Sequence, residues 1–368
     1  LSFGGWINAV IPVLIVPYYS VIGGWVIKYL VEYFRGNAKL LAEDGYFTDF
    51  ISNGVSTELC FVAFCAFTLI IIFAGVQNGI ERVSKIMMPI LIVLSVIIAV
   101  YSVTRPGALA GVKYFLVPNV KNFSWMTVVS AMGQMFYSLS IAMGILITFG
   151  SYMKKDTAIE DSTRNVEIFD TGIAIMAGLM IIPAVFAFSG GDPDTLQAGP
   201  SLMFITIPKV FQNMGFGTVI GIVFFLLVLF AAVTSSIALT ESAVSTFEDE
   251  LGWGRKKATV LVGVIMLALG SLSSLGYGPL AGIKIIGMQF LDLFDFLTNS
   301  VMMPIAALIT SLLVSRVVGI DKIEAEIIHG ESAFRRKKVF VVMIKYLCPV
   351  FAIIILLSSV ANALGWIK

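Results

Sequence analysis

Charge is what this chain has least of. Lys, Arg, Asp and Glu make up 13% of its 368 residues, where a soluble domain averages about 25%. The 24 basic and 23 acidic residues leave a net charge of +1, so there is no basic field for nucleic acid. The single histidine, His329, lies in a polar connection and carries no catalytic hint. Cysteine is almost as scarce: Cys60, Cys65 and Cys348 fall in apolar segments. They show neither metal-ligand spacing nor a disulfide framework, and they read as small buried hydrophobes. No cleavable signal peptide is visible, because the first apolar run is long and ends in Tyr and Trp rather than at small residues.

What the chain has in abundance is long hydrophobic runs, 58% of it being hydrophobic. A membrane helix needs roughly 20 apolar residues. Nine runs qualify, at about 6–31, 57–75, 86–103, 124–149, 166–188, 217–241, 257–276, 290–315 and 339–364. They do not alternate, which excludes a barrel, and only helices remain to satisfy the backbone in lipid. The expected fold is therefore an all-α polytopic membrane protein. Placing Lys154 and Lys155 in the cytoplasm puts 14 loop Lys and Arg on that side against 8 on the other. That orientation follows the positive-inside rule, with Leu1 cytoplasmic and Lys368 extracytoplasmic.

Polar residues inside these runs are the candidates for chemistry. In "FAAVTSSIAL", Ala231, Thr234, Ser235 and Leu239 share one helical face, while Ser236 lies off it. Such a face is read either as a packing seam, with hydroxyls bonding carbonyls one turn back, or as a set of hard oxygens for Na⁺. In "GQMFYSLSIAMG", Gln134, Ser138 and Ser140 interrupt a span flanked by glycines. That composition suits a helix that unwinds at the bilayer midplane and exposes backbone groups to ions and substrate; the alternative is a kinked packing helix. Asp170, in "IFDTGIAIMAGLMIIP", is a carboxylate in a span, where it costs roughly 2.5 kcal/mol or more unless it faces a cavity or a cation; the alternative is a carboxylate near the cytoplasmic helix end that is simply wet. In "PYYSVIGGW", Tyr18 and Tyr19 read as belt residues or as a pocket wall bracketed by Pro17, Gly23 and Gly24.

Taken in order, these segments resemble the neurotransmitter:sodium symporter family, which includes bacterial amino-acid transporters. "PYYSVIGGW" is similar to that family's third membrane helix and "GVQNGIERVSKIMMP" to the turn between the fourth and fifth. "GQMFYSLSIAMG" resembles the unwound sixth helix, "FDTGIAIMAGLMIIPAVFAF" the seventh, and "AGPSLMFITIPKVF" the loop before the eighth. "FAAVTSSIAL" with "FEDELGWGRK" resembles the eighth helix and its cytoplasmic end. The resemblance implies an inverted-repeat fold of the leucine-transporter type. Residues 1–104 would be the remainder of the first repeat, 124–315 the second, and 339–364 an additional C-terminal helix.

The resemblance also implies roles. Ser138 and Asp170 match one sodium site, and Ala231, Thr234 and Ser235 a second. Tyr19 matches the tyrosine that holds the substrate carboxylate. Ile15, Tyr137, Ser138, Ser140, Met143, Ser235 and Leu239 match the substrate pocket. Asp295 matches the acidic half of an outer gate and Asp249 that of an inner gate, with Tyr152 beside it. Gln134 and Ala174 fall where chloride-binding members carry ligands; Ala174 and the fixed charge of Asp170 imply chloride independence. The implied cargo is two sodium ions and a neutral, hydrophobic or aromatic amino acid, carried across the plasma membrane by alternating access.

The family's first two helices have no counterpart here. The chain matches the third through the eleventh, which implies a piece of a longer protein rather than a genuine short one, and leaves Asp295 and Asp249 without their usual arginine partners. The rival expectations are a fragment that does not transport without those helices, and a membrane-embedded transferase. The latter would need an acidic pair or a His-based site within the membrane, and "DLFDF" lies at a helix start.

Overall fold

The computed structural model describes residues 2–192, 196 and 199–363. Leu1, Ala198 of the "AGPSLMF" motif, residue 364 of the last expected span and Lys368 lie outside the described residues. Among the described residues, eight helices are long and apolar enough to cross a membrane. In chain order the long helices are α1 (Ser2–Phe34), α2 (Gly54–Phe73) and α3 (Val76–Val103). The span expected at 124–149 is divided into α4 (Trp125–Ser138) and α5 (Ile145–Ser151). Then come α6 (Ile159–Ser189), α7 (Gly217–Leu251), α8 (Arg255–Leu275) and α9 (Phe290–Val318). A short amphipathic helix, α10 (Ile320–Gly330), leads to the last span, α11 (Lys337–Ala361).

The core is a scaffold built around α1, which packs most extensively on α7 and then on α2 and α8. Small residues make the close approaches possible. A Cβ at Gly24 would stand 2.7 Å from the backbone nitrogen of Phe61 on α2, and one at Gly221 on α7 would stand 2.1 Å from the Tyr33 ring. Gly23 and Gly24 therefore serve helix packing rather than the pocket wall. Around them, Trp25 meets Phe47 edge-on at 5.3 Å, and Tyr29 meets Phe204 at 5.0 Å and Phe225 at 5.2 Å. Aromatic pairs of this kind add about 0.5–1.5 kcal/mol each beyond their burial. Against this scaffold α5 is set through its contact with α7, while α6 packs on α3 and α4 on α11.

Candidate functional site

The break between α4 and α5 is the main departure from regular helix. Ser140, Ala142 and Gly144 all have positive φ, at 53°, 60° and 74°. For the two non-glycine residues this costs roughly 1–2 kcal/mol each, a strain that persists only where the surroundings over-determine it. Gly144 shows how it is over-determined. A Cβ there would lie 2.9 Å from both the Asn8 carbonyl of α1 and the Ser242 hydroxyl of α7. The chain can pass between those two helices only as bare backbone. Thr148, one turn on, donates to Ser242 at 3.2 Å and pins α5 to α7.

The break opens onto a cavity of about 500 Å³. Ile15 and Tyr19 reach it from α1, Gln134, Tyr137 and Ser138 from α4, and Ser140 and Met143 from the break. Thr234, Ser235 and Leu239 reach it from α7. These residues are scattered over more than 200 positions of sequence, and the tertiary structure brings them to one place. Sequence reasoning missed Ile80, Ser84 and Met88 of α3, which also line it; Ile80 lies in the π-helical stretch Val76–Glu81 that starts α3, and Ser84 and Met88 follow at four-residue spacing. Among the described residues lining the cavity, none is charged.

Asp170 stands at the edge of this region on α6. Its Oδ1 accepts a hydrogen bond from Ser138 Oγ at 2.6 Å, so the helix end at the break and the intramembrane carboxylate meet directly. Ala174, one turn further along α6, is exposed. On α7, Thr234 Oγ1 donates to the carbonyls of Phe230 and Ala231, both at 3.0 Å. That is the back-bonding of a packing threonine. The same bond sets the Thr234 hydroxyl beside the Ala231 carbonyl; Thr234 and Ser235 line the cavity, and Ala231 is not among its lining residues. Ser236 is fully buried and bonds Thr68 of α2 at 3.2 Å, a packing contact.

The expected gate residues fall differently. Asp295 is not left without partners: it accepts from Tyr18 at 3.2 Å and from Asn299 Nδ2 at 2.5 Å. α1 and its own helix supply the donors that the carboxylate needs. Asp249 is exposed and lines a second cavity of about 470 Å³ with Asn8, Thr148 and Ser242. The hydrogen bond of Tyr152 goes to Glu241 Oε1 at 2.7 Å, not to Asp249; burial, then Glu241, pushes the Tyr152 hydroxyl well above its ordinary range.

Glu241 is the residue that sequence reading passed over. It is 0% exposed, and Arg255 grips it with a fork, Nη1 to Oε1 at 3.0 Å and Nη2 to Oε2 at 2.6 Å. Arg255 Nε also donates to the Ile72 carbonyl at 3.0 Å. One buried carboxylate thus ties the end of α5, the body of α7, the start of α8 and the end of α2. Bidentate geometry is the strong form of this pair. The signal was present, since an acidic residue inside an apolar helix is rare; its partner stands fourteen residues away across a turn, where no helical spacing points to it.

A polytopic helical bundle with a broken membrane helix opening on an uncharged cavity, and hard oxygens beside it, defines a secondary transporter rather than an enzyme. Comparison with known proteins agrees. The model of the sodium:neurotransmitter symporter family matches residues 32–365, and the chain belongs to that family. It is 34% identical to the uncharacterized sodium-dependent transporter YhdH of Bacillus subtilis over 97% of this chain and 79% of the relative. It is 30% identical to an uncharacterized sodium-dependent transporter of Haemophilus influenzae over 94% of this chain and 76% of that one. Among solved structures, MhsT in complex with L-phenylalanine superposes with a TM-score of 0.84 at 33% identity, covering 97% of this chain and 81% of that one. The fold is therefore of the leucine-transporter type.

Proposed function

We propose that the chain carries a neutral, hydrophobic or aromatic amino acid into the cell, driven by two sodium ions and without chloride. The observation that carries this reading is the cavity itself: it joins two tyrosines and the side chains of Ile15, Met143 and Leu239, with no charged residue among the described lining. A charged substrate side chain would be left without a counter-ion there, at a cost of several kcal/mol. A pliant methionine accommodates larger apolar side chains. The similarity to a transporter crystallised with L-phenylalanine supports the same class.

In this reading Ser138 and Asp170 hold the first sodium, beside the substrate carboxylate, which Tyr19 receives. Ala231, Thr234 and Ser235 hold the second on α7. All these ligands are oxygens, the donor type a hard monovalent cation takes. Sodium and substrate each favour the same occupied state, and their coupling is a reciprocal binding free energy. The repeat units 1–104 and 124–315 then move relative to each other, with Asp295 on the outer path and Asp249 and Tyr152 on the inner one. The Lys and Arg distribution supports a cytoplasmic Lys154 loop, and the import reading sets the protein in the plasma membrane. Asp170 supplies the fixed negative charge that chloride would bring, and Ala174 leaves no hydroxyl at the α6 position of such a site, of which Gln134 on α4 is the remnant.

The test is competition for sodium-driven uptake of labelled leucine in cells expressing residues 1–368. Excess tyrosine or leucine is expected to suppress it, and excess glutamate or lysine to leave it unchanged. Suppression by glutamate would refute the pocket assignment. Sodium-dependent uptake that collapses when gluconate replaces chloride would refute chloride independence.

A further inference from the structure

Helix α6 begins without a cap of its own. Its N-cap residue is Ala158, which offers no side-chain acceptor, and the nearby Ser162 and Thr163 hydroxyls bond back to the carbonyls of Ala158 and Ile159. The first-turn N–H groups need partners. They find one 171 residues away: Glu331 Oε1 accepts from the backbone nitrogen of Glu160 at 2.5 Å and of Asp161 at 3.3 Å.

The arrangement is reciprocal. The Glu160 carboxylate accepts from the backbone nitrogens of Arg335 at 2.9 Å and Arg336 at 3.1 Å. These lead into α11, whose N-cap Arg336 likewise makes no side-chain cap bond. Each glutamate therefore satisfies the uncapped start of the other's segment. Three further contacts tighten the junction. A Cβ at Gly330 would lie 2.4 Å from the Thr157 carbonyl, so the two chains touch backbone to backbone. Arg336 Nη1 bonds Glu167 at 2.8 Å, two turns up α6, and Lys337 pairs with Glu324 of α10. Carboxylates at helix N-termini are favoured by the macrodipole and by charge-assisted bonding.

The same helix carries Asp170, about three turns beyond Glu160, and it runs without a break from Ile159 to Ser189. A rigid element passes a displacement at one end to the other. We propose that Glu160 and Glu331 are positioning residues for Asp170: their reciprocal clasp fixes the start of α6 to the α10–α11 connection, and so sets how well Asp170 meets Ser138 and sodium. This rests on the sodium-site reading above. The clasp touches neither ion nor substrate, so its loss acts on sodium affinity before it acts on the substrate pocket.

The test uses the full chain with Glu331→Ala, Glu160→Ala, the double variant and Glu331→Gln. Each alanine variant is expected to raise the sodium concentration for half-maximal uptake roughly three- to tenfold, the range that a lost helix cap commands. At saturating sodium, the substrate KM and the maximal rate stay within about twofold. The double variant is no worse than the worse single one, because one clasp is lost once, and Glu331→Gln, which keeps an acceptor oxygen, falls between wild type and Glu331→Ala. A fall in maximal rate with sodium half-saturation unchanged overturns the proposal, as does additivity of the two single effects. Amide hydrogen exchange over residues 159–172 of the purified protein probes the clasp independently of transport. Faster exchange in Glu331→Ala extending to Asp170 supports the clasp, and faster exchange confined to the first turn overturns it. A wild-type protein lacking any sodium dependence would instead refute the sodium-site reading, leaving the exchange result to decide on the clasp.

Discussion

Two segments face each other across the same cavity and solve the same problem in opposite ways. The α4–α5 segment presents Ser138 and Ser140 by ceasing to be a helix, with three left-handed residues at 140, 142 and 144. The α7 segment presents Thr234 and Ser235 without interruption inside a 35-residue helix. The difference is where the backbone finds its partners. In α7 the ladder stays intact and a hydroxyl shares the Phe230 and Ala231 carbonyls. In α4–α5 the ladder is given up, and the surrounding helices hold the strained turn, with Asn8 and Ser242 closing on Gly144. A side-chain oxygen, with a carbonyl that keeps a free lone pair beside it, can be displayed from a regular helix, whereas backbone N–H groups and a run of unpaired carbonyls are freed only where the helix is broken.

The comparison can be broken most severely at the buried pair that supports the α7 side. Glu241→Ala leaves Arg255 without its buried partner and is expected to cost about 3–5 kcal/mol, read as loss of folded protein in detergent by thermal unfolding. Next is the break itself. Gly144→Ala forces a Cβ against the Asn8 carbonyl and into left-handed backbone, with an expected loss of about 2 kcal/mol or more. Gly150→Ala, on a site with open space around it, is expected to be neutral or slightly stabilising; equal losses at the two would show that the break is not specifically held.

Smaller effects sharpen the contrast in sodium use. Asp170→Ala is expected to raise the sodium requirement about a hundredfold or to abolish uptake, and Asp170→Asn to raise it about tenfold, since a charge-assisted ligand is roughly twice as strong as a neutral one. On the intact helix, Ser235→Ala is expected to raise sodium half-saturation by only about three- to tenfold, the worth of one hydrogen-bonding oxygen. Ser236→Ala, one residue along but packed on Thr68, is expected to cost at most about 1 kcal/mol of stability and to leave sodium half-saturation unchanged. A sodium effect at Ser236 as large as that at Ser235 would end the distinction between the cavity face and the packing face.

Eight of the nine apolar runs appear as long helices among the described residues and the run at 124–149 is broken just after Ser138; these and the all-helical class were legible because lipid imposes them locally: span length, backbone satisfaction and glycine placement are properties of short segments. The face carrying Thr234, Ser235 and Leu239 was legible too, since helical period alone aligns it. What composition and period left open was who partners whom. Asp295 finds Tyr18 and Asn299, Tyr152 finds Glu241 rather than Asp249, and Gly23 and Gly24 serve α2 rather than the cavity. Each of these depends on which helices become neighbours. The α3 residues Ile80, Ser84 and Met88 enter the cavity for the same reason. The chain by itself determined that there would be polar groups in a membrane helix bundle; the tertiary structure decided which of them meet, because a buried polar group takes its partner from whatever element packing brings within about 3 Å.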